Sequence, residues 1–195
     1  QVEVATVPVG GENYTFYLEP ATGVSASVDA NRLTELGGTL VASVWDSDSE
    51  FLRATATGRY QKLDDGDKIT VNGAVAITRE KELVTVGEYT AFVIPGSGAT
   101  VDIVDNEFVG MGGSIHTRID KGTEPFATIC LGGTYTPENG FNGKGEAVLV
   151  DDFHIAQMSI FDLWLNKGAG GSIELQNSEP VFVTGDVPIG LDKNG

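Results

Sequence analysis

The sequence predicts an all-β protein, a β-sandwich with at most one or two short helices. Short runs rich in Val, Ile, Thr, Phe and Tyr are separated by Gly, Asn, Asp and Pro, as in strands joined by turns. Apolar and polar residues alternate within several runs, such as residues 100–105 and 114–119. The 26 glycines are spread along the chain, as many tight corners require.

The strand-like runs are spread along the whole chain of 195 residues. They lie at residues 2–9, 14–18, 39–45, 51–60, 68–71, 74–78, 82–86, 89–94, 99–104, 114–119, 126–131, 146–150, 172–175 and 181–184. Many short antiparallel strands must stack or close to bury an apolar face, which predicts a sandwich, including the jelly roll, or a barrel. No change of composition marks a linker and no internal repeat is evident, so we expect one sandwich domain over residues 1–195.

The connections between these runs contain three turn or loop signals. The sequence Asp64-Asp65-Gly66-Asp67 predicts a turn, and Asn72-Gly73 predicts a type I′ hairpin. Residues 134–145 contain Pro137, Asn139-Gly140 and Asn142-Gly143-Lys144-Gly145, and this composition predicts a long exposed loop.

Helix signals are few. Residues 29–37 offer Asp29 as an N-cap and Gly37 as a stop, which predicts one short helix. Residues 153–167 fit either a helix capped by Asp152 or buried strands, and the surrounding β pattern favours strands.

Charge restricts the possible partners. Asp and Glu number 28 against 12 Lys and Arg, which gives a net charge of −16. Binding to nucleic-acid phosphates needs clustered cations, and anionic membranes repel such a chain, so neither partner is expected. Repulsion among carboxylates is screened in molar salt, and the composition therefore favours a protein adapted to high salt. Cys130 is the single cysteine, so no intrachain disulfide forms.

The sequence carries no motif that predicts catalysis, cofactor binding or a metal site. His116 and His154 lack the spacing of metal ligands, and Ser114 with His116 shares a strand face without the Gly-x-Ser-x-Gly of a nucleophile elbow. The carboxylate clusters at residues 46–50, 64–67 and 151–152 are interpreted as solvated loops. A structural calcium ion at such a loop is the one cofactor considered. We therefore expect a protein that is not an enzyme; a β-sandwich hydrolase with a carboxylate pair is the alternative.

An all-β chain without a cluster of reactive side chains suggests a protein whose surfaces bind neighbouring protein subunits. Size, patterning and acidic composition along the whole chain resemble the small single jelly-roll major capsid proteins of haloarchaeal icosahedral viruses with an internal membrane. The resemblance rests on general character, not on a motif, and carries over no functional residue. It implies a single jelly roll in the capsid shell of a virion, assembled into capsomers with itself or a related subunit, without direct membrane insertion.

Two other functions stay open. One is a tail-tube or decoration subunit of a virus. The other is a carbohydrate-binding or cell-surface adhesion sandwich, in which exposed aromatic rings stack on sugars. The candidates for such stacking are Tyr60, Tyr135 and Phe141.

Overall fold

The computed structural model describes residues 1–9, 11–46, 49–64, 66–158 and 161–193. Over these residues the chain forms antiparallel strands and no helix, which confirms the all-β prediction. Consequently, the described residues also contain no apolar helix that could cross a membrane. The strands are β1 (Val2–Val9), β2 (Glu12–Leu18), β3 (Gly23–Asp29), β4 (Arg32–Asp46), β5 (Ser49–Gln61), β6 (Lys68–Ile77), β7 (Lys81–Val86), β8 (Tyr89–Val93), β9 (Gly98–Val104), β10 (Glu107–Lys121), β11 (Glu124–Thr136), β12 (Gly140–Leu149), β13 (Phe153–Met158), β14 (Phe161–Leu165), β15 (Gly170–Gln176), β16 (Glu179–Asp186) and β17 (Ile189–Lys193).

The chain divides into two compact units. Unit 1 comprises residues 1–80, 95–113 and 134–138, and unit 2 comprises residues 81–94, 114–133 and 139–195. Strands β10 and β11 contribute residues to both units. The single domain expected over residues 1–195 therefore stays a prediction.

Strands that follow one another in the chain mostly pair with one another. Unit 1 has the order β1-β2-β4-β5-β6-β9-β10, with β3 on the same edge of β4 as β2. In unit 2, β11, β12, β15 and β16 follow β10, β8 joins β7 to β10, and β13-β14-β17 form a separate sheet. Phe153 of that small sheet contacts Phe126 of the larger one, with ring centroids 5.6 Å apart, in keeping with a sandwich. The order mostly follows the chain, with crossovers between β2 and β4, β6 and β9, and β12 and β15, and the jelly-roll part of the prediction is not confirmed.

The chain contains an internal structural repeat, contrary to the expectation from the sequence. Strands β4 to β9 have 15, 13, 10, 6, 5 and 7 residues, and strands β10 to β15 have the same lengths in the same order. We define repeat 1 as β1–β6, repeat 2 as β7–β12 and repeat 3 as β13–β17. Strands β4 and β10 are the long strands of repeats 1 and 2. In repeat 3 the equivalent stretch of chain is divided into β16 and β17.

Strand register obeys the same repeat. Strands β2 and β8 pair with the long strands β4 and β10, and β14 pairs with β17. These pairings begin at Tyr14↔Asp46, Tyr89↔Lys121 and Phe161↔Lys193, so equivalent positions are 75 and then 72 residues apart. The first hairpin of each repeat has a β-bulge at one equivalent position, and the bulged residues are Val4, Leu83 and Ile155. Pro188 has no N–H to donate to a ladder, which accounts for the break between β16 and β17.

The turn into each long strand is also shared. Two residues with positive φ join β3 to β4, β9 to β10 and β15 to β16, as a tight two-residue hairpin turn requires. These pairs are Ala30 and Asn31, Asp105 and Asn106, and Asn177 and Ser178. The helix predicted over residues 29–37 is therefore wrong, because this hairpin lies there.

Two other local predictions are corrected. Asn72-Gly73 lies inside β6, where pairing with both β5 and β9 holds the backbone extended, so no hairpin forms. Residues 134–145 form the end of β11, a short turn and the start of β12, not a long loop. Over residues 153–167 the described part of the chain forms strands β13 and β14, as favoured.

Candidate functional site

One face of the long strand β4 is apolar and open. Leu36 and Leu40 point to this face and are 41% and 48% exposed, whereas Val41 and Ser43 on the opposite face are 8% and 0% exposed. Successive side chains of a strand point to opposite faces, so the more apolar face is the less covered one. A soluble chain normally shows the reverse arrangement.

The covered face is closed by the connection after β2. The backbone N–H of Glu19 donates to the carbonyl oxygen of Val41 at 2.8 Å, and the Ser43 hydroxyl donates to the Glu19 carboxylate. Trp45 Nε1 donates to Ser43 Oγ at 2.9 Å, and its ring meets Tyr17 edge to face at 5.6 Å. The buried Ser43 is thereby hydrogen-bonded, and nothing comparable in the described part of the chain covers Leu36 and Leu40.

The same two positions are large, apolar and exposed in every repeat. The positions of Leu36 are occupied by Met111 and Val183, which are 52% and 70% exposed. The positions of Leu40 are occupied by Ile115 and Val187, which are 54% and 62% exposed. We call these six residues, three in each unit, the apolar row, a name for equivalent positions of the repeats. Scattered exposed apolar residues are ordinary, but an exposed apolar position that recurs in all three repeats is a pattern.

Each unit also has a shallow apolar groove next to row residues. In unit 1 a groove of about 390 Å³ is lined mainly by side chains of β3, β4, β5 and β6, among them Val24, Leu36, Leu40, Tyr60, Ile69 and Val71. In unit 2 a groove of about 330 Å³ is lined by β11, β12, β15 and β16, among them Leu131, Ala147, Ile173 and Val183. Both grooves involve the same strand types of the repeat.

His116 makes a small polar cluster on unit 2. Its Nε2 lies 3.2 Å from Ser114 Oγ and 3.8 Å from Cys130 Sγ. The shared strand face of Ser114 and His116 is thus confirmed, and Cys130 is half-buried there. One ring nitrogen faces both the hydroxyl and the thiol, so we assign the cluster a local structural role.

A second polar feature of unit 2 is a groove of about 390 Å³ that surrounds His154. It combines acids with aromatic rings, and its lining includes Glu88, Lys121, Glu124, Phe126, Asp151, Asp152, Phe153, His154 and Trp164. His154 Nε2 lies 3.2 Å from Asp162 Oδ1, and the His154 ring is 4.8 Å from that of Trp164. Trp164 Nε1 is buried without a hydrogen-bond partner. Sequence reasoning missed this groove, because its residues come from distant strands.

In the described part of the chain, the acidic side chains of the three predicted clusters contact different partners. Asp46 pairs with Arg79, and Glu50 pairs with Arg53 at 2.7 Å. Asp152 accepts a hydrogen bond from the Lys167 backbone N–H. Asp48 and Asp65 lie outside the described residues. Among the rest, no three His, Cys, Asp or Glu side chains are placed to hold a metal ion.

The predicted sugar-stacking aromatics lie at different places. Tyr135 is 40% exposed and stacks on Phe108 with centroids 6.2 Å apart. The Phe141 ring lies against the backbones of Gly133 and Gly143, where a side chain would collide with it. Tyr60 donates to Asp67 at 2.8 Å, and this hydrogen bond raises the pKa of the Tyr60 hydroxyl.

Comparison with known proteins found no match among protein-family models, curated proteins or solved structures. The geometry of the repeats is therefore the basis for a functional assignment.

Proposed function

We propose that this protein is a structural subunit that assembles with other copies, or with related subunits, through the apolar row. The observation that carries the proposal is the threefold recurrence of large exposed side chains at the positions of Leu36 and Leu40. Fully burying one such side chain contributes roughly 1.5–3 kcal/mol, so covering several would drive association. Repeats need neighbours to bury their faces, which fits a multi-copy assembly.

The β-bulges also support assembly with neighbouring subunits. Val4, Leu83 and Ile155 are 67%, 58% and 47% exposed, although each is apolar. A bulge also blunts the edge of the strand that carries it. These strands thus offer apolar side chains to a neighbour while resisting uncontrolled edge-to-edge pairing.

Among assemblies, we propose a virion, in line with the composition. The capsid-shell hypothesis depends on a jelly roll, whereas a sheet built from repeated hairpins fits a tail or decoration subunit of the virus surface at least as well. Either role needs no catalysis, and the acidic surface suits high salt. In this proposal the partners are the chain itself and related subunits, and neither nucleic acid nor membrane is contacted.

The test compares the unchanged chain with a variant carrying Leu36→Glu, Met111→Glu and Val183→Glu. Light scattering after size-exclusion chromatography in 0.1 to 3 M salt should show large oligomers for the former and monomers for the latter. The control is Thr57→Glu, an exposed position on the opposite face of β5, which should leave assembly intact. A monomeric unchanged chain at every salt concentration would refute the proposal.

The groove around His154 supports a second candidate, a saccharide-binding module. Aromatic rings with nearby carboxylates are suited to stack on sugar rings and bind their hydroxyls. Calorimetric titration with neutral oligosaccharides should then show binding that Trp164→Ala removes and Tyr135→Ala retains. Absence of binding across a glycan array would exclude this candidate.

A further inference from the structure

The edge strand β3 differs from its equivalents in one respect. Strand β9 pairs with β6 on one edge and β10 on the other, and β15 pairs likewise with β12 and β16. Among the described strands, β3 pairs with β4 alone, and all seven of its residues are exposed. Its second edge is the one that takes β6 or β12 in the other repeats.

That second pairing is the same wherever it occurs. Val71 faces Ile103 and Ala76 faces Gly98 between β6 and β9. The corresponding pairs between β12 and β15 are Gly143 with Leu175 and Val148 with Gly170. The two interfaces thus share one register over six residue pairs.

A glycine begins each of the three equivalent strands β3, β9 and β15, and its surroundings differ. A Cβ on Gly98 would lie 2.5 Å from the carbonyl oxygen of Val75, and a Cβ on Gly170 would collide in the same way with that of Ala147. At Gly23 a Cβ would meet nothing within 4 Å. Glycine in a strand is less favourable than alanine, and no contact with the described residues explains it at this position.

The edge of β3 also lacks the usual protection. The bulge between β3 and β4 puts its extra residue, Thr34, on β4, so β3 itself is regular. The strand contains no proline or lysine, and its single charge is Asp29 at its end. Natural edge strands that must stay unpaired carry such devices, and β1, β7 and β13 have a bulge.

We propose that the free edge of β3 is a docking site for an antiparallel strand with the sequence pattern of β6 and β12, supplied by a related subunit. The pattern is an apolar second residue, glycine at the sixth and a small apolar eighth, as in Ile69, Gly73 and Val75. Main-chain hydrogen bonds would supply the affinity, and Gly23, which has no side chain, would leave room for the close carbonyl oxygen of the docked strand. Both β6 and β12 are already paired on both edges, so neither of them supplies this strand within the chain. The identification of the partner as a structural subunit rests on the proposed function.

The test uses the full chain and a fluorescent peptide with the sequence of residues 68–77. Anisotropy should show saturable binding, and a scrambled peptide should not bind. Gly23→Val should weaken binding at least tenfold, while leaving the melting temperature unchanged because a Cβ at this position meets no described atom within 4 Å. The control is Gly185→Val, whose Cβ would make an ordinary 3.6 Å contact, and it should bind normally.

Amide hydrogen exchange gives the location. Residues 23–29 should become protected when the peptide binds. Failure of the peptide to bind, or equal binding by Gly23→Val, would overturn the docking site. Self-association of the unchanged chain and its loss in the apolar-row variant are measured separately, so the docking site and the assembly proposal fail independently.

Discussion

Tyr14 meets Phe51 edge to face with ring centroids 5.6 Å apart, and Tyr89 meets Phe126 at the equivalent positions with centroids 5.3 Å apart. The repeat therefore includes side-chain contacts as well as strand lengths. In both repeats the ring pair ties the first hairpin to the strand after the long strand. Phe161 supplies an aromatic ring at the same position of repeat 3.

This ring pair yields a first prediction. A double-mutant cycle with Tyr14→Ala and Phe51→Ala should give a coupling of roughly 0.5–1.5 kcal/mol in the free energy of unfolding, the typical value for aromatic pairs. The cycle of Tyr89 and Phe126 should give a similar value. Tyr14→Phe is the control, because it keeps the ring and removes only the hydroxyl that donates to Glu12. Additive effects in both cycles would contradict the role of the pair.

The fold class could be predicted from the sequence, because alternation within strands is a local signal. All fourteen strand-like runs overlap strands of the structure. The helix over residues 29–37 failed because Ala30 and Asn31 adopt positive φ in a turn, which alanine rarely does. The hairpin at Asn72-Gly73 failed because two neighbouring strands override local turn preference.

The repeat and the apolar row were not predicted, for a physical reason. What the repeats share is register and face, and few residues are identical: Leu36, Met111 and Val183 have only exposed apolar character in common. The loops also differ in length, since β5 and β6 are separated by six residues and β11 and β12 by three. One signal was available, namely the similar runs Tyr14-Thr15 and Tyr89-Thr90, each followed by Pro and then Gly.

The turn before β4 yields a second prediction. Ala30 has a φ of 47°, whereas the equivalent residues Asp105 and Asn177 are of types that tolerate this region. Ala30→Asn should therefore raise the free energy of unfolding by about 0.5–1 kcal/mol. Urea denaturation measures it. The matched control is Asn177→Ala, which should lower stability by a similar amount, and a destabilising Ala30→Asn would contradict the assignment of the turn.

A buried ion pair yields a third prediction. Arg118 donates to both carboxylate oxygens of Asp120, at 2.7 and 2.9 Å, and its guanidinium lies 4.9 Å from the centroid of the Phe92 ring. Asp120 is 7% exposed, so Asp120→Asn should cost roughly 1–3 kcal/mol of stability.

The matched control for this pair is Glu35→Gln. Glu35 pairs with Arg59 at 2.9 Å on the surface, so its loss should lower stability far less than the loss of the Asp120 carboxylate. Thermal and urea unfolding of both variants compare the two pairs. Equal costs would show that burial around Asp120 has no energetic consequence.

The contact of Tyr60 with Asp67 yields a fourth prediction, which concerns pH. The hydrogen bond to the Asp67 carboxylate favours the protonated Tyr60, so the pKa of its hydroxyl lies above the ordinary value. Asp67→Asn should return this pKa toward that value, as ultraviolet or NMR titration would measure. The pKa of Glu35, lowered by hydrogen bonds from Arg59, should be unaffected by the same change. A Tyr60 pKa that is identical in both proteins would contradict the contact.

The net charge of −16 yields the last prediction, that thermal stability rises steeply with salt. Repulsion among carboxylates acts over a Debye length of about 10 Å at 0.1 M salt, which falls to about 3 Å at 1 M. The melting temperature should therefore increase from 0.1 to 3 M KCl. A variant with Glu107→Gln, Glu138→Gln and Glu179→Gln, all exposed positions, should start from a higher melting temperature and show a smaller salt dependence. If both proteins melted at the same temperature at every salt concentration, carboxylate repulsion would not limit stability and adaptation to high salt would lose its physical basis.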